Sequence, residues 1–144
     1  MTEITNQFTP EQRKWIDLLK SGQYKQVKGK LKRPLFDYGE LCGDGYCCLG
    51  LAWDKVIGVE TESNGVYYYF GQWKNSGALT TQASESLCLY DVDGEGAPKP
   101  YYSNKRSLAG MNDSGRSFAE IAEILEREPY VYFTNFDEGY TPNA

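Results

Sequence analysis

Apolar residues recur at helical spacing in two parts of the chain. Trp15, Ile16, Leu18 and Leu19 make a stripe opened by Thr9-Pro10-Glu11-Gln12, where Thr9 suits the N-cap, Pro10 the first helical position and Gln12 a capping box. Ser21-Gly22 supplies the stop. Phe118, Ile121, Ala122 and Leu125 share one face of a second helix, opened by the capping box Ser117-Phe118-Ala119-Glu120 and ended by Pro129. Between them, Tyr46 to Trp53 is a compact apolar run that reads as a core helix ending near Gly58. Gly50 inside it costs about 1 kcal/mol relative to alanine, which implies a close neighbour there.

The intervening stretches are less periodic. Tyr24, Val27 and Leu31 suggest a short helix or turn with a lysine-rich outer face, ended by Pro34. Residues 36–46, FDYGELCGDGY, read as a loop. Glu62-Ser63-Asn64-Gly65 is a hairpin turn signal between Val56–Glu60 and the aromatic strand Val66–Phe70. A short helix is expected around Thr81–Leu87, and a final strand over YVYF at 130–133. The fold class expected is α+β: one domain over 1–144, with three or four short helices on a small antiparallel sheet. Residues 1–8 and 137–144 are expected to be flexible.

Composition narrows the chemistry. The chain has no histidine, which removes Ser-His-Asp and Cys-His nucleophile activation and the commonest general base near neutral pH. The spacing Cys42-x4-Cys47-Cys48 does not match a zinc knuckle, so the cysteines are expected to be reduced and packed as small apolar groups. No apolar run is long enough to span a bilayer and the start does not resemble a signal peptide, so a cytosolic protein with no membrane partner is expected.

Charge is unevenly spread. Residues 11–33 hold eight bases against two acids, a local charge of +6, while the rest of the chain carries −11. An acidic body with one basic segment argues against a long nucleic-acid duplex as partner and allows a local anion site. Lys30, Lys32 and Arg33 are therefore candidates to neutralise phosphates, against the plainer reading of a solvated face. Tyr69 and Trp73 could stack a base, or the strand could be half in the core. Asn112, Asp113 and Ser114, just before a helix start, could read a base edge or hydroxyl, or form only a turn and cap. Asp91-x-Asp93-x-Glu95-Gly96 opens like an EF-hand loop, but Tyr102 occupies the twelfth position.

Three stretches, taken together, resemble a family of small phage- and prophage-encoded proteins. They are Trp15 with Ser21-Gly22-Gln23-Tyr24-Lys25-Gln26, Tyr46-Cys47-Cys48-Leu49-Gly50, and Leu108-Ala109-x-x-Asn112-Asp113-Ser114-Gly115-x-Ser117-Phe118-x-x-Ile121-Ala122. The resemblance extends to anti-defence proteins that sequester cyclic nucleotide signals, the sponges of CBASS immunity. It implies a non-enzymatic binder without cofactor or metal, a homo-oligomer with a dimer foremost, holding a cyclic dinucleotide such as 3',3'-cGAMP. The alternative is a protein–protein inhibitor of a host enzyme that binds no nucleotide.

Overall fold

In a computed structural model, described over residues 3–29, 31–58, 61–63, 68–70, 73–74, 79, 81–98 and 106–141, two capped helices pack against each other. The first is α1 (Pro10–Lys20), whose Thr9 cap and reciprocal Gln12 contact form the expected capping box. It buries Trp15, Ile16 and Leu19. Against it packs α5 (Phe118–Arg127), whose Ser117–Glu120 box is also formed and whose buried face is Phe118, Ile121, Ala122 and Leu125. Arg13 and Lys20 both reach Glu126 across this contact. Burial raises the Glu126 carboxyl pKa, but these two bases more than offset it and hold the group below its ordinary range.

Between the two in sequence, a hydrophobic helical segment fills the core. It begins as α2 (Cys48–Ala52), continues as a π-helical turn (Trp53–Ile57), and stops where Gly58 turns left-handed. The Cys47 thiol accepts the free N–H of Gly50 and serves as its N-cap. The Trp15 indole donates to the Cys48 carbonyl at 2.8 Å, tying α1 to α2. Gly50 lies against the backbone of Leu31, where a Cβ would overlap the carbonyl. The close neighbour expected from sequence is therefore Leu31.

The first sheet has strand order β1-β3-β2, formed by β1 (Lys25–Gln26), β2 (Lys32–Asp37) and β3 (Glu40–Tyr46). β2 and β3 are antiparallel, whereas β1 runs parallel to β3, so this sheet is mixed and not purely antiparallel. Two expectations are corrected here. The lysine-rich segment is a short strand and turn and not a helix, and the presumed loop at 36–46 is a β-hairpin. Its loop is only two residues long, Tyr38 and Gly39, both left-handed at φ 51° and 81° as a tight hairpin requires. For a tyrosine this conformation costs about 1–2 kcal/mol.

A second sheet, order β4-β5-β6, is antiparallel: β4 (Thr61–Ser63), β5 (Tyr68–Phe70) and β6 (Trp73–Lys74). Strand β5 was expected, but Glu62 and Ser63 of the expected turn belong to β4, and Val56 and Ile57 of the expected flanking strand belong to the π-helical turn; Asn64 and Gly65 lie outside the described residues. Backbone of β5 comes within 8 Å of β2. Three short helices complete the described chain, α3 (Thr81–Ser86), α4 (Leu108–Asp113) and α6 (Pro129–Tyr132). The molecule is thus a small single-domain α+β fold with six α-helices among the described residues, more than the three or four expected.

The expected last strand is replaced by α6, since Pro129 takes the first helical position and only Phe133 bridges to Leu89. Beyond it the ends of the chain clasp each other. Gln12, fully buried, donates to the Leu87 carbonyl and to Asn135, and Asn135 donates to the Gln7 carbonyl. Asn6 and Asp137 exchange two hydrogen bonds, and Phe8 packs on Phe136 and Tyr140.

Candidate anion-binding surface

Two of the three sequence stretches singled out as a site meet in the fold. Asn112 sits in the last turn of α4, fully buried, and divides its amide between the segment that follows α1, the start of α2 and its own neighbour Asp113. Its Nδ2 donates to the Val27 carbonyl at 2.7 Å and to Asp113, while its Oδ1 accepts from Gln26 Nε2 and from the Cys48 N–H. Gln26 Nε2 also donates to the Arg116 carbonyl, and its Oε1 accepts from Phe118 N–H at the start of α5. Asp113 accepts the Gly29 N–H at 2.9 Å. The basic segment is consequently pinned onto the end of α4.

This geometry redistributes the expected roles. Asn112 has no capacity left for a ligand, because each buried amide group already holds a partner. Asp113 is exposed, with one oxygen committed to Gly29 and Asn112. Ser114 is exposed and donates to the Met111 carbonyl. This stretch is the last turn of α4 with Ser114 as its C-cap, and not a turn and N-cap ahead of α5, whose N-cap is Ser117; of the three residues only Asp113 and Ser114 are exposed.

The bases divide similarly. Lys32 is 8 % exposed, and its ammonium lies 3.3 Å from Asp54 on the π-helical turn. Tyr46 donates to the same carboxylate at 2.8 Å; burial and that carboxylate hold the phenol well above its ordinary range. Lys32 is therefore a structural cation bridging β2 to the helix. Arg33, its neighbour on β2, is exposed, as are Lys25, Lys28 and Arg116. Lys30 lies outside the described residues. Tyr69 and Trp73 lie on β5 and β6, whose backbones are described but not their side chains; β5 approaches β2, which carries Lys32 and Arg33.

Sequence reasoning missed Gln26, Asp54 and Arg116. Gln26 and Asp54 are distant in sequence from what they bind, and no local pattern marks either; Arg116 stood one residue beyond the stretch singled out. The acidic loop at 91–95 is an Asx turn, in which Asp91 accepts the N–H groups of Asp93 and Glu95. Among the described residues no group of three side chains is arranged to hold a metal ion. A shallow cleft of about 470 Å³ lies elsewhere, between the chain ends, lined by Phe8, Thr9, Arg13 and Tyr140 among others. None of the expected site residues lines it.

Cys47 and Cys48 are packed in the core as expected, whereas Cys42 is exposed and Cys88 half-buried. Burial pushes Cys47 up to about 11 and also raises Cys48 well above its ordinary range. No helix among the described residues is long and apolar enough to cross a membrane. No protein-family model, no curated protein and no solved structure matches this chain.

Proposed function

We propose that the protein binds a small phosphorylated molecule without turning it over, and that the ligand is a cyclic dinucleotide of the class sequestered by phage anti-defence sponges. One observation supports this above the others. The basic segment is held by Asn112, Asp113 and Gln26 so that its exposed Lys25 and Lys28 adjoin a polar loop containing Ser114 and Arg116. A pinned segment loses little further entropy when an anion docks, which favours affinity. Arg33 and Arg116 can each hold a phosphate through two parallel N–H bonds, and the lysines add charge.

Tyr69 or Trp73 would provide a stacking surface, worth about 1–3 kcal/mol per base. Asp113, although acidic, can accept from a base edge or a ribose hydroxyl. Titration calorimetry against 3',3'-cGAMP and a panel of cyclic dinucleotides, followed by chromatography of the recovered ligand, tests the reading. Stoichiometric binding with intact ligand is expected. Absence of heat with every member ends the proposal, and a cleaved product makes the protein an enzyme.

A further inference from the structure

We infer that the tip of the β2–β3 hairpin is a self-association surface that docks onto the exposed bases of a second copy of this chain. Phe36 is 55 % exposed and Tyr38 is 100 % exposed, so the fold covers the first ring only in part and the second not at all. Tyr38 moreover stands in the left-handed conformation, where asparagine or glycine would sit with less strain. A large ring that strains the turn and contacts nothing within the chain gains its stabilisation from another molecule.

Charge identifies that molecule. Asp37 and Glu40 face each other across the hairpin beside the two rings, both exposed. Neither enters an ion pair among the described residues. Two acids flanking two rings repel nucleic acid and anionic lipid, and they fit a basic protein surface. This chain carries such a surface: Lys25, Lys28 and Arg33 are exposed and likewise unpaired among the described residues.

Within one chain the hairpin tip stands away from these bases. Arg33 and Asp37 are four residues apart on β2, about 13 Å at roughly 3.3 Å per residue, and pairing with β3 keeps that strand extended. Two copies related by a two-fold axis solve this, each tip resting on the other's bases in two identical contacts. The rings then lie against Lys28 and Arg33 as cation–π partners, while Asp37 and Glu40 neutralise the charge. The contact involves protein alone, and it draws on Lys28 and Arg33, which the ligand reading also uses.

Sedimentation velocity of the full chain from micromolar to sub-millimolar concentration, without ligand, tests the inference. A monomer–dimer equilibrium is expected that weakens at high salt. Tyr38→Asn should weaken it by about tenfold or more and, at concentrations where both proteins are monomeric, raise the melting temperature by about 3 °C. Asp37→Lys with Glu40→Lys, and separately Lys28→Glu with Arg33→Glu, should each be monomeric alone and form a mixed dimer together. A wild-type chain that stays monomeric throughout overturns the inference. So does failure of the two reversed variants to associate when mixed, or a Tyr38→Asn monomer that melts lower than wild type.

Discussion

Single residues hold this fold at two places where no substitute is equivalent. Gly50 lets α2 touch the Leu31 carbonyl, and a methyl group there overlaps backbone that α2 and β3 already fix. Gly50→Ala should destabilise by about 3 kcal/mol or more despite alanine's better helix propensity, since overpacking against backbone has no side chain to yield. A urea titration followed by tryptophan fluorescence measures it, and a variant as stable as wild type would contradict the packing described. Asn112 bonds four groups at once, among them the buried Val27 carbonyl and Cys48 N–H. Asn112→Ala leaves at least two of them unsatisfied, at about 1–3 kcal/mol each. Asn112→Asp should be no better, because a carboxylate cannot donate to Val27 and repels its oxygen. If either variant loses ligand binding while keeping full stability, Asn112 contacts the ligand after all.

At the level of elements, the local patterns that could be read in advance were those whose determinants lie within a few residues. Thr9-Pro10-Glu11-Gln12 and Ser117-Phe118-Ala119-Glu120 carry both partners of a capping box, so α1 and α5 were legible from sequence. The β2–β3 hairpin was not, because Gly43 and Gly45 disguise β3 as loop and because its turn uses Tyr-Gly in place of the usual Asn-Gly. α6 was mistaken for a strand because a four-residue aromatic run has no period to distinguish the two. For the site, the basic segment and the Asn-Asp-Ser loop were each visible, but the bonds joining them span more than eighty residues and belong to the fold alone. The helix carrying the cysteine pair supplies a further prediction. The Cys47 thiol moves from an ordinary 9 to about 11 on burial, and Cys48 moves the same way. The folded chain thus keeps protons that the unfolded chain releases, so this stabilisation is complete below pH 9 and is lost as pH rises toward 11. Chemical denaturation across that window should show stability falling by on the order of 2 kcal/mol or more, an effect reduced but not abolished in Cys47→Ala, where Cys48 still titrates. In the native protein near neutral pH, a thiol-specific disulfide reagent should modify exposed Cys42 first and half-buried Cys88 more slowly, reaching Cys47 and Cys48 only on unfolding.

Across the whole molecule, the charge pattern connects the two proposals and makes them separable. Exposed bases cluster near one end of β2 and the exposed acids Asp37 and Glu40 at the other, on a chain whose total is −5. Phosphate oxygens and the hairpin's carboxylates are chemically alike, and both proposals assign them to Lys28 and Arg33. They must therefore compete. Pyrophosphate, which offers an arginine two coplanar oxygens, should dissociate the dimer more effectively than sodium chloride at the same ionic strength, by about tenfold in the association constant. Simple screening acts on every exposed charge alike and depends on ionic strength alone, so matched solutions isolate the specific effect. Sedimentation in the two salts gives three distinct results. Stronger dissociation by pyrophosphate supports both readings together. Equal dissociation leaves the hairpin contact standing and removes the anion site from Lys28 and Arg33. Pyrophosphate binding by calorimetry to a chain that never dimerises keeps the anion site and removes the hairpin contact.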